Sequence, residues 1–474
     1  MNATKRILTI LLLAAMAIPA FAQVPEEEGV ALTVYNGGYA VVREVRSLSI
    51  DADGEVRFRD VPTNIDPTTV HFKSFTQPGA KLLEQNYQYD LVSASKLLQK
   101  YIDRDIEVFT EDKRYAGTLL SFDGAQLVLQ DADGGIMMIQ RHENVRDIRF
   151  GKLPEGLLTQ PTLLWLVDAK AGEHMAEVTY QTGGMSWHAE YVLVLNGDDS
   201  AADLSGWVSV ENNSGKIYKD AKLKFIAGDV RRVQEQLKGY SRTLREEESG
   251  RQAGMQEKAF FEYHMYTLGR PSTVANNEVK QLELFDPARG VKIEKKYLYN
   301  PLGSWRWNWG GRYDSQTYGT ENVSKKVAVF IEFKNEEANK LGIPLPAGKV
   351  RVYKQDPDDE AMEFVGEERI DHTPKNEELR LQIGNAFDIV GQRKQTNFQR
   401  RGNWIEEKIE IRIRNHKKED VVVRIKEPMY RWVNWKITEK NTDFEKLDAR
   451  NIAFDVPVKA DGETVVTYTV EYDW

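Results

Sequence analysis

The sequence of 474 residues contains no cysteine. This absence excludes structural disulfides, thiolate metal ligands, a cysteine nucleophile and a lipid-modified cysteine. Stability must therefore come from a buried core, and a chain of this length is long enough to form one. At about 150 residues per domain, the length indicates about three domains.

Clusters of positive charge and long apolar runs are also missing. The formal net charge is −9, and lysine and arginine are spread along the chain without a basic tail or stripe. Binding to phosphates needs clustered positive charge, so this distribution argues against a nucleic-acid partner. After residue 22 no apolar run approaches the roughly 20 residues of a membrane-spanning helix. We therefore predict no transmembrane segment after signal cleavage.

Recognisable catalytic motifs are absent as well. None of the seven histidines lies three or four residues from another, which excludes the histidine spacing of a zincin metal site. The string Gly184-Met185-Ser186-Trp187-His188 begins like the nucleophile elbow of a hydrolase, but it lacks the final glycine and precedes a strand. No glycine-rich loop opens a helix, as phosphate binding would require. We predict no metal site, no cofactor and no catalytic residue.

Two weaker signals leave other chemistry open. Residues 51–54 and 131–134 both read Asp-Ala-Asp-Gly. Calcium loops use that spacing, but neither copy has the later glutamate of an EF-hand loop, and Asp-Gly is an ordinary hairpin turn. Asp371-His372 could hold a general acid–base pair, with Arg393-Lys394 as a nearby anion site.

The first residues have the features of an export signal. Lys5 and Arg6 precede an uncharged, largely apolar run over residues 7–18, and Ala20-Phe21-Ala22 gives the small-x-small pattern that a signal peptidase reads. The run is shorter than a spanning helix requires, which favours a cleaved signal over a retained anchor. We predict a signal peptide at residues 1–22 and a mature protein in the periplasm or secreted.

Strand patterns dominate the mature chain, and the predicted fold class is mainly β. Residues 23–88 predict an N-terminal β unit that contains a hairpin turn at Asn36-Gly37-Gly38. Residues 156–322 predict an antiparallel β-sandwich with a charged loop at residues 231–258 and an aromatic loop at residues 300–322. Between these loops, strands are predicted at residues 260–268, 279–285 and 291–299.

The segment between these two parts, residues 89–155, has a different pattern. Apolar residues recur at helical spacing over residues 90–102, and Ser93 or Asp90 could cap this helix. Five short strands joined by tight turns follow, predicted at residues 106–110, 115–122, 126–130, 136–140 and 145–150. A short helix and five such strands predict a small SH3- or Sm-like barrel.

Alternation of apolar residues marks strands with one buried face. It is clearest at five positions, Trp187, Ala189, Tyr191, Leu193 and Leu195. It returns after residue 322, and residues 323–474 predict a C-terminal Ig-like β-sandwich.

Seven strings along the chain form an ordered set: Trp187-His188-Ala189-Glu190-Tyr191, Val210-Glu211-Asn212-Asn213-Ser214-Gly215, Lys224-Phe225-Ile226-Ala227-Gly228-Asp229-Val230, Tyr263-His264-Met265-Tyr266-Thr267-Leu268-Gly269-Arg270-Pro271, Leu341-Gly342-Ile343-Pro344-Leu345-Pro346-Ala347-Gly348, Arg369-Ile370-Asp371-His372-Thr373-Pro374 and Phe387-Asp388-Ile389-Val390-Gly391. The set resembles a bacterial domain-of-unknown-function family, number 4139, from about residue 29 to the end. A more distant likeness links it to the mucoidy-inhibitor family. The resemblance implies an exported, β-rich bacterial protein and assigns no activity, cofactor or catalytic residue.

The aromatic loop contains the candidate ligand-binding residues. Trp305, Trp307, Trp309 and Tyr313 lie close together, and the three tryptophans are three of ten in the chain. Exposed indoles could stack on sugar rings or anchor a protein partner. The alternative is that they fold back over a sheet edge, because large exposed aromatics are costly.

These observations predict a non-catalytic cell-envelope protein that binds or scaffolds an envelope protein or glycan. One alternative is an envelope-polymer hydrolase whose site is assembled only in three dimensions. A second alternative is a carbohydrate-binding module that uses the loop at residues 305–313.

Overall fold

The protein is described by a computed structural model that covers residues 28–141, 145–154, 157–228, 255–260, 262–303, 313–320, 323–356, 358–359 and 361–474. Over these residues the chain forms thirty strands, one α-helix and one short 3-10 helix. The predicted fold class, mainly β, is confirmed. The predicted signal peptide and most of the predicted charged loop lie outside the described residues.

Strands β1 to β10 and the helix occupy the first third of the chain. They are β1 (Gly29–Tyr35), β2 (Tyr39–Ile50), β3 (Glu55–Arg59), β4 (Ile65–Ser74), β5 (Lys81–Gln88), α1 (Ala94–Lys100), β6 (Asp105–Thr110), β7 (Arg114–Phe122), β8 (Gln126–Gln130), β9 (Ile136–Gln140) and β10 (Val145–Arg149).

The following strands are longer on average. They are β11 (Thr162–Asp168), β12 (Gly172–Gly183), β13 (Met185–Leu195), β14 (Ala201–Asn212), β15 (Tyr218–Ala227), β16 (Gln256–Phe260), β17 (Tyr263–Thr267), β18 (Ser272–Val274), β19 (Glu278–Lys292) and β20 (Glu294–Tyr299).

The last part of the chain contains the 3-10 helix at Glu337–Asn339 and ten strands. The strands are β21 (Lys326–Lys334), β22 (Gly348–Gln355), β23 (Met362–Ile370), β24 (Glu378–Arg401), β25 (Trp404–Asn415), β26 (Val421–Pro428), β27 (Trp435–Lys440), β28 (Glu445–Lys446), β29 (Asn451–Val458) and β30 (Gly462–Asp473).

The chain divides into two compact units. The first unit comprises residues 28–32, Val41–Gly183 and Ser214–Ala221, and the second unit comprises Thr33–Ala40, Gly184–Asn213 and Lys222–Trp474. Each unit has its own buried apolar core. The domain boundaries predicted at residues 88, 155 and 322 stay predictions.

In the first unit, β11 lies between β3 and β5 in a three-stranded antiparallel sheet, and β12 pairs with β4. Trp165 of β11 is buried and stacks on Phe58 of β3, with ring centroids 5.0 Å apart. Its indole N–H donates to the Gln85 side chain at 2.9 Å, so the polar atom of this core residue is satisfied.

A five-stranded antiparallel sheet of the first unit has the order β10-β6-β7-β8-β9. The helix α1 precedes it, and the Ser93 side chain caps the helix by accepting the Lys96 N–H. Leu98 of the helix is buried in the same core as Val108 and Leu119 of the sheet. The helix and the five strands are therefore confirmed, and closure of the sheet into a barrel stays a prediction.

The second unit contains a five-stranded sheet of order β19-β14-β13-β22-β23. Its pairs are antiparallel except for β13 and β22, which run parallel and bring Ala189 beside Gly348. The predicted alternation on β13 is confirmed, because all five of the positions that were expected to face inward are buried: Trp187, Ala189, Tyr191, Leu193 and Leu195.

The second unit also contains a nine-stranded sheet, in the order β27-β30-β25-β24-β21-β20-β26-β29-β28. Ile409, Ile411 and Ile413 of β25 are fully buried in its core, as expected for one face of an alternating strand. Over the part of the chain that is described, no helix is long and apolar enough to cross a membrane.

Two predicted strand boundaries are wrong. Residues 260–268 were expected to form one strand, but Phe260 is the last residue of β16 and the next strand, β17, covers Tyr263–Thr267. Residues 279–285 and 291–299 were expected to be separate strands, but β19 continues through Pro287. Proline is tolerated there because β19 lies at a sheet edge and pairs with β14 through several register shifts.

Candidate functional site

The polar residues of the Trp187–Tyr191 string share one exposed surface. Because Trp187 and Ala189 face the core, the intervening His188 and Glu190 point outward from β13. Neighbouring strands place their outward residues beside them through the observed register. We call this surface the Glu190 face and define it by Gln281 and Glu283 of β19, Trp207 and Ser209 of β14, His188 and Glu190 of β13, Arg351 and Tyr353 of β22, and Phe364 of β23.

The carboxylate of Glu190 lies at the centre of this face and is held by neighbours from three strands. Gln281 donates its amide N–H to Oε2 at 3.0 Å, and the Ser209 hydroxyl donates to the same oxygen at 3.3 Å. Arg351 donates to Oε1 at 3.3 Å. His188 Nε2 lies 3.7 Å from Oε1. The carboxylate is thus fixed in position.

The charge state of Glu190 follows from these contacts. Burial raises the pKa of this carboxyl. The hydrogen bond and the positive charge of Arg351 lower the pKa, with smaller contributions from His188 and Ser209, and together these effects outweigh that of burial. The pKa lies below its ordinary value as a result, so Glu190 is ionised at neutral pH. Its side chain remains 18% exposed, which leaves the carboxylate within reach of a ligand.

An aromatic ring lies next to this carboxylate. Trp207 is paired directly with Glu190 across β13 and β14, and with Glu283 on the other side. Paired residues of an antiparallel ladder have Cα atoms roughly 4.5–5.5 Å apart and share a face. Trp207 is 38% exposed. An indole at this position offers an apolar surface beside hydrogen-bonding groups.

Two further aromatic residues extend the face toward the other sheet edge. Tyr353 and Phe364 are paired between β22 and β23, and their rings meet edge to face with centroids 5.7 Å apart. Phe364 is 55% exposed. The face thus combines aromatic surface at two places with a carboxylate, an amide and a guanidinium between them.

The sequence-predicted ligand residues are only partly described. Trp305, Trp307 and Trp309 lie outside the described residues. Tyr313 is half-buried, with its ring stacked on Trp432 at a centroid distance of 5.3 Å and edge to face against Trp474 at 5.3 Å. The ring of Tyr313 is therefore held by its own unit.

The backbone around Tyr313 is fixed by a buried arginine. Arg431 donates to the carbonyl oxygens of Tyr313 at 2.5 Å, Ser315 at 2.8 Å and Tyr318 at 3.2 Å. Arg431 also donates to the carboxylate of Glu407 at 2.8 Å. This ion pair is structural, because both side chains are fully buried.

Two of the residues considered for acid–base or anion chemistry, His372 and Arg393, have hydrogen-bond partners within the fold. His372 Nδ1 accepts the backbone N–H of Ala347 at 3.1 Å. Arg393 is buried and donates to Glu427 at 2.9 Å. Its Nη1 donates to the Gly319 carbonyl at 3.4 Å, while Nη2 is buried without a hydrogen-bond partner among the described residues. These contacts favour structural roles for both residues.

The two Asp-Ala-Asp-Gly strings form turns. Asp131 accepts the backbone N–H groups of Asp133 at 3.0 Å and Gly135 at 2.7 Å through its own carboxylate, and the Gly54 N–H donates to the Asp51 carbonyl at 2.9 Å. In the described ranges, no group of three or more histidine, aspartate or glutamate residues is arranged to hold a metal ion.

The first unit also contains a buried ion pair. Glu44 is almost fully buried and accepts hydrogen bonds from Lys216 at 2.8 Å and from the Tyr180 hydroxyl. Arg46 contacts the other carboxylate oxygen. Burial raises the pKa of Glu44, but Lys216 and Arg46 lower it by more, so the pKa lies below its ordinary value.

Sequence reasoning missed the Glu190 face because its residues come from five strands spread over residues 188–364. One local signal was present. In β14 the buried positions include Leu204, Val208 and Val210, which places Trp207 on the outward side, where a large aromatic residue is unusual.

A scan against protein-family models matches no family, and a search of curated proteins finds no match to this chain.

Proposed function

We propose that the protein is an exported, non-catalytic binding protein of the bacterial cell envelope and that it binds a glycan through the Glu190 face. The export signal predicted at residues 1–22 and the resemblance to domain-of-unknown-function family 4139 support the location. The β-rich structure supports a binding role on a rigid scaffold.

One observation carries the choice of ligand. The exposed ring of Trp207 lies directly across the strand pair from Glu190, whose carboxylate is fixed by Gln281 and Arg351. A sugar ring has apolar C–H faces that pack on an indole and hydroxyl groups that both donate and accept hydrogen bonds. The aromatic ring, the carboxylate, the amide and the guanidinium match both properties.

Replacing Trp207 with alanine is expected to weaken glycan binding about 30-fold, because truncating an aromatic anchor typically costs about 2 kcal/mol. Titration calorimetry with a β-1,4-linked N-acetylglucosamine tetramer, followed by other wall-type oligosaccharides, measures the change. Trp207→Phe keeps a ring and should lose less. Glu190→Gln removes the charge while keeping the shape and should also weaken binding.

Phe387→Ala is the matched control. Phe387 lies on β24 and is 95% exposed, so its removal takes an exposed aromatic from another sheet and should leave the affinity unchanged. The proposal fails if no oligosaccharide binds, or if Trp207→Ala and Phe387→Ala bind equally well. Circular dichroism checks that each variant is folded.

The same samples test the hydrolase alternative. Common glycosidases need two carboxyl groups flanking the scissile bond. Glu190 and Glu283 are the two carboxyl groups paired with Trp207, one on each neighbouring strand. If the wild-type protein shortens the oligosaccharide and both Glu190→Gln and Glu283→Gln stop this cleavage, the non-catalytic proposal is wrong.

A further inference from the structure

Strand β9 forms an exposed, uncharged edge of the five-stranded sheet in the first unit. The sheet order places β9 at one end and β10 at the other. Strand β9 reads Ile136-Met137-Met138-Ile139-Gln140, without a charge. Ile136 is 69% exposed and Met138 is 65% exposed, while Ile139 is buried in the core. An edge of this kind is a template for pairing with another strand.

The direction of the free backbone groups follows from two hydrogen bonds that flank the strand. Asp131 N–H donates to Gly135 O at 2.9 Å, and Arg141 N–H donates to Ala125 O at 2.7 Å. Both are directly opposed pairs in the β8–β9 register. Hydrogen-bonded and non-hydrogen-bonded pairs alternate along an antiparallel ladder.

The alternation assigns each residue of β9 to one side. Met137 and Ile139 exchange hydrogen bonds with β8, so the N–H and C=O groups of Ile136, Met138 and Gln140 point away from it. Over the described residues, β9 has only β8 as a strand partner. The same edge therefore presents open backbone groups and two exposed apolar side chains.

We propose that this edge pairs with β9 of a second copy of the chain, antiparallel about a two-fold axis at Met138. In this register Met138 faces Met138 of the second copy, and Ile136 faces Gln140 of the second copy. All outward N–H and C=O groups of both strands are then paired, giving about six hydrogen bonds. No charges oppose each other, and the exposed Ile136 and Met138 side chains lie together on one face.

Strand β10, at the opposite edge of the sheet, is not suited to pairing with β10 of a second copy. Strand β10 reads Val145-Arg146-Asp147-Ile148-Arg149. Antiparallel self-pairing about its centre would place Asp147 opposite Asp147, and like charges directly opposite each other are destabilising. The contrast between the two edges selects β9 as the surface for the second copy.

The absence of native cysteine makes a direct cross-linking test possible. The proposed pairing places the two Met138 Cα atoms about 5.5 Å apart, within the range that a disulfide spans. Met138→Cys is expected to form a covalent dimer under mild oxidation. Leu83→Cys, a position on β5 that is 58% exposed, is the control and should cross-link at least about tenfold more slowly.

A second variant tests the pairing without a covalent bond. Met138→Lys places two ammonium groups opposite each other, and its exposed position should leave the fold intact. Sedimentation velocity should show a wild-type dimer and a Met138→Lys monomer with unchanged circular dichroism. The proposal is overturned by a wild-type monomer up to about 100 µM, by a dimer that survives Met138→Lys, or by equal cross-linking of Met138→Cys and Leu83→Cys.

Discussion

Replacing Glu407 with alanine is expected to lower the free energy of unfolding of the second unit by about 3–5 kcal/mol, the usual cost of breaking a buried ion pair. Its carboxylate accepts hydrogen bonds from Arg431 at 2.8 Å, the Tyr430 hydroxyl at 2.8 Å and Gln395 at 2.6 Å. Without Glu407, the guanidinium of Arg431 remains buried with no counter-charge, and two further donors lose their acceptor.

Urea unfolding followed by circular dichroism measures this change as a lower midpoint at unchanged slope. Hydrogen exchange in peptides from β25 and β26 assigns it to the second unit. Glu463→Ala is the matched control, because Glu463 pairs with Arg412 at 2.6 Å at the surface, with side chains 36% and 37% exposed. Such pairs contribute about 0–1 kcal/mol. A loss no larger for Glu407→Ala than for this control would contradict a buried pair.

Replacing Glu44 with alanine should destabilise the first unit by a similar amount at neutral pH, about 3–5 kcal/mol. Lys216 would lose the acceptor 2.8 Å from its ammonium group and keep Asp60 at 3.6 Å, and the buried Tyr180 hydroxyl would lose the carboxylate to which it donates. The control is Glu84→Ala, an exposed carboxylate on β5, which should change the free energy of unfolding by less than about 0.5 kcal/mol. Hydrogen exchange in peptides from β2 and β12 reports on this unit.

The pH dependence of the Glu44→Ala effect has a defined sign. The pKa of Glu44 is lower in the folded protein than its ordinary value of 4.5. Its stabilising contribution is therefore fully present above pH 4.5 and is lost as the pH falls through the folded-state pKa. The difference between wild type and Glu44→Ala should shrink on acidification below about pH 4. A difference that stays constant down to pH 2 would show that folding does not lower the pKa of Glu44.

Local patterns in the sequence were sufficient for most strands and for the helix. Strands β8 and β9 have the predicted bounds, residues 126–130 and 136–140, because tight turns delimit them. The helix begins after Ser93, one of the two predicted caps. Strand β11 was not predicted, because residues 163–167 are all apolar and the sequence therefore shows no alternation of apolar and polar residues there.

The pairing of distant strands and the candidate site could not be read from local patterns. Trp207 and Glu190 meet because β13 and β14 form a hairpin, but Arg351 reaches Glu190 only through the parallel pairing of β13 with β22. No turn connects those two strands, so the sequence has no short-range signal for their register. Buried charges such as Glu407 were also missed, because a glutamate in an alternating strand is usually assigned to the solvent side.

The parallel pairing of β13 with β22 also determines the order in which the chain can fold. Ala189 pairs with Gly348, which lies about 160 residues further along the chain. Closing so long a loop costs conformational entropy before the strand contacts can form, and this slows folding. Until β22 is present, β13 has an open edge in the middle of its sheet. A chain that ends before residue 348 would keep that apolar edge open, and we expect it to aggregate. Because synthesis begins at the N-terminus, late closure would keep the second unit unfolded until most of the polypeptide has been made.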